Sequence, residues 1–402
     1  MNPFSFIHAA DLHLGYSQYA LETRREDFQN AFGELIEKSI ELKPDFLILA
    51  GDLFHHARPS NITLENAIKS FRQLRDIGIP VLTVDGSHDS EPNMLTGTIL
   101  NPLDSAGLIY HLPRHKGACW RKKNCCYVYG VPNFRTRRKT EEFLPAFMKD
   151  SKPKPVPNLF NIFAFHMALD DPLITPSYVE AEATPELIPD NFNYYAAGHL
   201  HAPYVGKFKT GTLVYSGSTE TVNYAEARNK SKGFYQVEVD QDGEISLQFM
   251  NLDSPRKFMI LEQDFTGINP PKIIDQAVQL VKGVDEEGIV IVPVLKGLLP
   301  PEAKRSDLRM TKLRNAAKKA LLVHPIMQLR ETEVPVETVR SIFETEFKDM
   351  KTKAFEYFLQ IFSKRYTQEE AENIADVAVK LVEFSTEKED EKIRKILKRF
   401  VE

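Results

Sequence analysis

The chain has 402 residues, of which 42% are hydrophobic and 27% charged, and a formal net charge of −5. That length predicts two or three domains of ordinary globular composition, and the net charge by itself announces no nucleic-acid binder. No apolar run approaches the roughly 20 residues that span a bilayer, and Met1 leads straight into a strand pattern without a signal peptide, so a cytoplasmic protein is expected.

Taken in order, Phe4–Ala9 reads as a buried strand ending just before Asp11-Leu12-His13. An amphipathic helix follows across about Arg24–Leu42, closed by Lys43-Pro44. Strand Phe46–Ala50 runs into Gly51-Asp52-Leu53-Phe54-His55. The loop through Arg58-Pro59 then reaches Ser60 or Asn61 as the N-cap of a helix to about Ile77. Gly78 and Pro80 stop that helix ahead of strand Val81–Val84, which precedes Gly86-Ser87-His88-Asp89. Such alternation predicts a largely parallel sheet flanked by helices. Ser151–Asn158, rich in proline, reads as an extended connector. Strand Phe160–Phe165 ends at His166, and strand Tyr194–Ala197 at Gly198-His199-Leu200-His201. From Leu213 to Met250, short alternating strands with turn residues at Asp240–Gly243 predict a second sheet packed on the first.

Beyond Ser254-Pro255 the metal-type residues cease. Phe258 to about Val334 reads as strand, helix (Lys272–Val281), strand (Ile289–Leu295), helix (Asp307–Leu321) and strand. After Pro335 only helical spacing remains: Val339, Phe343, Phe347, Met350, Ala354, Phe358 and Phe362, then Ile374, Val377 and Leu381, then Ile393, Leu397 and Phe400. The expected domains are 1–254, 255–334 and 335–402. The last helices either fold back on the module before them or dock a partner's helix pair. Three cysteines, two of them adjacent (Cys125 and Cys126), make no disulfide framework and no zinc spacing, and read as buried thiols.

Five metal-type motifs in a fixed order outweigh the rest of the chain. Each follows an apolar run, and parallel strands end along one rim of a sheet, where open α/β sheets bind ligands. Asp11, His13, Asp52, His166, His199 and His201 supply two carboxylates and four imidazoles. That set has too many nitrogens for magnesium or calcium and lacks the thiolates of structural zinc. It suits manganese, iron or catalytic zinc. Two ions ~3.5–4 Å apart can share a carboxylate and clamp the attacking and leaving oxygens of a phosphoryl group. Asp52 is the expected bridge, with Asp11, His13 and His201 on one ion and His166 and His199 on the other. His88, on the same rim, would protonate the leaving oxygen, with Asp89 fixing its tautomer. Either His55 or His56 faces the site.

From Arg114 to Lys139 there is no acidic residue. Arg114, Lys116, Arg121, Lys122, Lys123, Arg135, Arg137, Arg138 and Lys139 are interleaved with Trp120, Tyr127, Tyr129 and Phe134. Cations this dense suit a polyanion running past the metal site. The plainer alternative is a solvated loop and hairpin whose charges serve solubility.

Ala10-Asp11-Leu12-His13-Leu14-Gly15, Gly51-Asp52-Leu53-Phe54-His55 with Arg58-Pro59, Gly86-x-His88-Asp89, Gly198-His199-Leu200-His201 and Ser216-Gly217-Ser218-Thr219-Glu220 with Gly233-Phe234-Tyr235 resemble the calcineurin-like metallophosphoesterases. More narrowly they resemble the double-strand-break repair nucleases of the Meiotic Recombination Eleven and SbcD type, in their archaeal form. The resemblance covers Met1–Leu252 well, fades toward Val334, and is architectural beyond. It implies an α/β fold: a two-sheet αββα metallophosphoesterase sandwich, a small α/β capping domain that contacts DNA, and a helical C-terminal tail. It also implies a homodimer, and an SbcC-type coiled-coil ATPase docked on the C-terminal helices. The implied activities are manganese-dependent 3′–5′ exonuclease and single-strand endonuclease cleavage of DNA; in a prokaryotic cell the protein would be nucleoid-associated. Asp11, His13, Asp52, His166, His199 and His201 occupy the family's ligand positions, His88 the catalytic one, and His55 that of the histidine orienting the phosphodiester. Arg58 joins the basic segment, and Lys304, Arg305, Arg309 and Lys312 of the capping module, as expected DNA contacts. One position departs: the family has asparagine, a ligand of the second ion, where this chain has Ser87. A serine hydroxyl is a shorter and poorer ligand, so the second ion is expected to bind weakly.

Two other readings remain open from sequence. One is a metallophosphoesterase acting on a phosphoprotein or cyclic nucleotide, which leaves the basic segment and the helical tail without a role. The other is a scaffold with a degraded site, for which Ser87 is the sole support.

Overall fold

The structure is a computed structural model of the chain that describes residues 1–90, 97–228, 231–301, 303–331, 347–363 and 366–386. It divides into two units. The first comprises Met1–Ile260 with Glu286–Val290 and Lys319–Leu321; the second comprises Leu261–Asp285, Ile291–Lys318 and the described part of Leu322–Glu402.

Two six-stranded sheets make the first unit. Strands β1 (Phe4–Ala9), β2 (Phe46–Ala50), β3 (Val81–Val84) and β4 (Tyr110–His111) run parallel in one of them. In the other, β5 (Cys119–Lys122) forms a hairpin with β6 (Cys126–Gly130), and β6, β7 (Phe160–His166), β8 (Tyr194–Gly198) and β10 (Gly211–Tyr215) run parallel, with β9 (Tyr204–Phe208) antiparallel at the edge. Strands β11 (Gly233–Val239) and β12 (Ile245–Asn251) extend the first sheet antiparallel to β1.

Period-two alternation explains the layers. Ile7, Ala9, Leu47, Leu49 and Val81 point to one face, where Phe32, Leu35 and Ile36 of α1 (Glu22–Leu42) and Phe71 and Leu74 of α2 (Asn61–Asp76) cover them. Phe4, Phe6, Phe46, Ile48, Leu82 and Val84 point the other way and meet Val128, Phe160, Ile162, Tyr194 and Val214 of the second sheet. Tyr129, Phe163, Phe165 and Tyr195 line that sheet's far face, where they cluster with Leu144 of α4 (Arg137–Ser151). The short α3 (Leu100–Ser105) precedes β4. The result is the expected αββα sandwich. Ser60 caps α2, its hydroxyl accepting from Thr63 N at 3.2 Å, and Lys43 closes α1 in a left-handed conformation (φ 50°).

Two expectations are corrected. The five motif-bearing strands do not share one sheet: β1, β2 and β3 lie in the first, β7 and β8 in the second. A continuous apolar run signals burial on both faces but carries no information on which neighbour it pairs with. The segment Leu213–Met250 is likewise no separate sheet. Gly211–Tyr215 joins the second sheet, while β11 and β12 complete the first.

The second unit is built on a four-stranded sheet of β13 (Phe258–Asp264), β14 (Val290–Leu298), β15 (Leu322–Val323) and β16 (Ile326–Arg330), with α5 (Pro270–Gly283) and α6 (Met310–Arg314). The helix expected over Asp307–Leu321 is thus cut to five residues. Its C-terminal half has helix-forming residues, yet the backbone there is engaged elsewhere: Lys318 N donates to Asp285 Oδ2, and Leu321 N to Ile289 O, both at 2.8 Å. Tertiary bonds override propensity. Phe347, Met350, Ala354, Phe358 and Phe362 fall on α7 (Phe347–Phe362), which packs against α8 (Gln368–Thr386) carrying Ile374, Val377 and Leu381. Val339, Phe343, Ile393, Leu397 and Phe400 lie outside the described residues. Among those described, no helix is long and apolar enough to cross a membrane. All three cysteines are free thiols, Cys125 and Cys126 buried.

Candidate metal centre

The loops after β1 and β2 are zipped together by backbone bonds. Asp11 N donates to Gly51 O (3.1 Å), His13 N to Asp52 O (3.0 Å), Leu14 N to Leu53 O (2.9 Å) and His55 N to Leu14 O (3.1 Å). Asp11, His13, Asp52 and His199 all sit at positive φ, between 47° and 93°. Gly51, at φ +88°, lets the His166 imidazole lie against its Cα; a Cβ there would overlap the ring. Gly86 does the same for Asp52, whose amide and Oδ1 occupy the space a Cβ would need.

Side chains from both sheets converge on this rim. His166 Nε2 lies 3.2 Å from Asp52 Oδ2 and 3.9 Å from Asp11 Oδ1. His201 Nε2 lies 3.6 Å from Asp11 Oδ1 and 3.2 Å from His13 Nε2, which is itself 3.9 Å from Asp52 Oδ2. Asp11, His13 and His201 form one compact ligand group, and Asp11, Asp52 and His166 another. Asp52 lies within 4 Å of both His13 and His166, and Asp11 belongs to both groups. His199 joins neither group; its amide donates to both Asp11 oxygens (3.0 and 3.2 Å) and its Nε2 lies 3.7 Å from Glu182 Oε2. Its ring packs edge-on against that of His166 at 5.2 Å. Ser87 places Oγ 3.4 Å from Asp52 Oδ2.

The donor set fits divalent cations. His166 gives Nδ1–H to Ala50 O (2.8 Å), so Nε2 carries a lone pair, and that buried atom has no well-directed hydrogen bond among the described residues. His201 gives Nδ1–H to Glu226 Oε1 (2.7 Å), and its Nε2 faces another imidazole nitrogen. Lone pairs and carboxylates aimed at one another repel unless a cation stands between them. A proton plays that part in the metal-free chain. Burial works against charge on His166, but Asp52 and Asp11 outweigh it and raise its pKa to about 10. His201 rises to about 10 against the same burial because of Glu226 and Asp11. Asp52, despite burial, is held well below the usual carboxylate range by His166 and His13. His13 is driven well below its ordinary value, chiefly by burial, and His55 to about 4 by burial and His88.

His88 stacks 4.9 Å from His55 and meets His13 edge-on at 4.9 Å. Its Nδ1 donates to His55 O at 2.8 Å, which leaves Nε2 as its reactive nitrogen. Asp89 does not perform the expected task of fixing that tautomer. Its carboxylate accepts from the amides of Gly86 (2.9 Å), Phe54 (2.9 Å) and Leu53 (3.3 Å), tying the loop after β3 to the loop after β2. Burial, with Asp52 nearby, pushes its pKa up to about 7. His55, rather than His56, faces His13, at 3.3 Å between Nδ1 atoms, and Tyr16 stacks on it at 3.7 Å.

A cleft of about 340 Å³ opens beside these rings, lined by His55, His56, Arg58, His88, Ser90 and Arg135. Arg135 reaches it by donating to Ser90 O. The rest of the basic segment is dispersed. Lys122 pairs with Asp45 at 2.7 Å, and Asp45 precedes β2, so the hairpin turn bearing Arg121, Lys122 and Lys123 lies at the amino ends of strands whose carboxyl ends hold the metal motifs. That is about 16 Å away, five residues at roughly 3.3 Å each. Arg121 lies over the Tyr127 ring. Arg114 binds Asp104 (2.9 Å), Arg137 binds Asp170 (2.8 Å) and Glu141, Arg138 is exposed on α4, and Lys116 lies in a short turn. The segment is therefore not one surface beside the site; adjacency in sequence was lost at the β5–β6 hairpin.

Sequence reasoning missed Glu226 behind His201, Glu182 behind His199, Tyr16 on His55 and Asn133, whose amide donates to His166 O. A single acidic residue in a polar loop gives no periodic or spacing signal, so only the fold exposes these. Glu220, inside the quoted S-G-S-T-E stretch, binds buried Arg24 at 3.1 Å.

Residues 4–203 match the family model described as calcineurin-like phosphoesterase. The two-sheet domain with its clustered carboxylates and imidazoles belongs to that family, a metallophosphoesterase domain that uses divalent metal ions. Beyond the family, the chain is similar to archaeal proteins named DNA double-strand break repair protein Mre11. Identity is 28% with that of Methanopyrus kandleri, covering 63% of this chain and 58% of the relative. It is 32% with that of Archaeoglobus fulgidus, covering 55% and 51%, and 26% with that of Sulfolobus acidocaldarius, covering 98% of each. The matched stretch is thus little more than half the length of the first two relatives and nearly all of the third.

Proposed function

We propose that this chain is a manganese-dependent DNA nuclease of double-strand-break repair, cleaving as a 3′–5′ exonuclease and a single-strand endonuclease. It would act as a homodimer with an SbcC-type coiled-coil ATPase docked on its C-terminal helices. The observation that carries the reading is the meeting of Asp11, His13, Asp52, His166 and His201 from two sheets beside an open cleft holding Arg58 and Arg135. The similarity to Mre11 proteins supports DNA as the substrate.

Asp11, His13 and His201 would hold one divalent ion, and Asp52, His166 and His199 the other. Bound there, two such ions supply Lewis-acid activation of water and neutralise the charge that develops on a phosphodiester. His88, its Nδ1–H committed to His55 O, would hand a proton from Nε2 to the leaving oxygen. His55, held by Tyr16 and uncharged at neutral pH, would orient the phosphate. Arg58 and Arg135 would grip the backbone next to the scissile bond, and Arg137 and Arg138 on α4 the flanking nucleotides. Arg114, Lys116, Arg121, Lys122 and Lys123 would reach only DNA that wraps the domain. Binding should then fall steeply with added salt.

One assay tests the reading: labelled single-stranded DNA with Mn2+, an aryl phosphate ester in parallel, and His88→Ala as control. Loss of DNA cleavage by about 10²–10⁴-fold in the control is expected. Ester hydrolysis without DNA cleavage would instead favour another phosphoester substrate, and DNA binding without cleavage a scaffold. Ser87 would leave the second ion weakly held, so Ser87→Asn should tighten Mn2+ binding in a calorimetric titration.

A further inference from the structure

A ligand imidazole needs its second nitrogen held, because that bond decides which nitrogen keeps the lone pair. His166 is held by a backbone carbonyl, but His201 is held by a carboxylate: Glu226 Oε1 lies 2.7 Å from its Nδ1. Glu226 is itself secured. Its Oε2 accepts from Val222 N (3.2 Å) and from Lys232 Nζ (3.0 Å). Gln18 Nε2 fastens Val222 O at 2.7 Å. Lys232 is only 4% exposed and also donates to Ser218 Oγ at 2.6 Å, while Ser218 N donates to His201 O at 3.2 Å. The bonds close into a ring of His201, Glu226, Lys232 and Ser218.

That ring is more than a tether. A carboxylate on Nδ1–H strengthens the Nε2 lone pair, and the buried ammonium of Lys232 needs the Glu226 charge beside it. We infer that Glu226 is a positioning residue for metal binding, fixing His201 with its proton on Nδ1 and its Nε2 lone pair toward Asp11 and His13. Lys232 and Ser218 hold Glu226 in place. The inference rests on the reading of Asp11, His13 and His201 as ligands of one divalent ion.

The test is Mn2+ titration calorimetry on the full chain and on Glu226→Gln and Glu226→Ala. Both variants should bind about 10–100-fold more weakly than the unsubstituted chain. Variants that bind within about twofold of it overturn the inference and leave the metal reading standing, because a well-packed bystander would not move affinity on the scale of a ligand's partner. A chain that binds no Mn2+ before substitution overturns both. Where the variants do not fold by circular dichroism, the tautomer decides. In Zn2+-loaded, 15N-histidine-labelled chain, His201, assigned by comparison with His201→Gln, should carry its proton on Nδ1. A proton on Nε2 overturns the inference.

Discussion

Metal binding to this site should expel protons, and the number can be worked from the structure. His166 and His201 have pKa values near 10 in the metal-free chain, His166 because Asp52 and Asp11 face its Nε2, and His201 because Glu226 holds its Nδ1 and Asp11 lies near its Nε2. At about pH 7.5 both are then protonated, and each must lose its proton to become a ligand, a cost on the order of a few kcal/mol apiece. Two protons should leave per loaded two-ion site, one for each Mn2+, and the logarithm of the overall association constant for both ions should climb with a slope near two per pH unit across about pH 6.5–8. Calorimetry at one pH in HEPES and in Tris, whose ionisation enthalpies differ, counts the protons directly. His201→Gln should reduce the count to one. A count near zero, or affinity flat in pH, would refute the reasoning. The same shifts make a stability claim of definite sign. Folded values above the unfolded 6.5 mean that the stabilisation is fully present below about pH 6.5 and is lost as pH rises toward 10. Metal-free protein should therefore melt at lower temperature at about pH 9 than at about pH 6.5.

Two further perturbations separate geometry from chemistry. Gly86→Ala puts a methyl group where the Asp52 amide and Oδ1 now sit; overpacking of that kind costs about 1–3 kcal/mol, and displacement of Asp52 should also weaken Mn2+ binding. A thermal melt and a metal titration on one preparation check both, and unchanged affinity would show that Asp52 is not a ligand. Asp89→Ala strands three buried amides, those of Gly86, Phe54 and Leu53. It should lower unfolding free energy in urea by roughly 2–5 kcal/mol, whereas a loss of rate without loss of stability would return Asp89 to the catalytic role it was first given.

What could be read from the sequence follows the range of each signal. Asp11-Leu12-His13 and Gly198-His199-Leu200-His201 each lie at the end of an apolar run, and strand ends are local information. The grouping of Asp11, His13 and His201 was legible because D-x-H and H-x-H spacing in a loop brings both residues of each pair to one rim. Partner choice between strands is not local, so the allotment of Phe160–His166 to a second sheet was hidden. Asp89 was misassigned because proximity to His88 in sequence said nothing of the three amides that claim its oxygens. The basic run from Arg114 to Lys139 looked like one patch only until the β5–β6 hairpin carried Lys122 to Asp45, at the far rim. Glu226 and Glu182 had no signature, since an orienting carboxylate needs only reach.

Four of the candidate ligands come from tight loops at the strand ends. Asp11, His13, Asp52 and His199 adopt left-handed φ values, a conformation that costs non-glycine residues of order 1–3 kcal/mol each. A chain free to choose would relax them. The four backbone bonds that join the loops after β1 and β2, and the Asp89 carboxylate that pins the loop after β3, hold the first three in place, and the Asp11 carboxylate accepts from the amide of His199. Asp11 and His13, two residues apart, both reach one cluster, and Asp52 reaches it from directly beneath Gly86. Held in this way, the loops and strand ends crowd two carboxylates and three imidazoles into one small volume. Relief of the electrostatic part of that crowding waits on a cation, which couples the folding of these loops to metal binding.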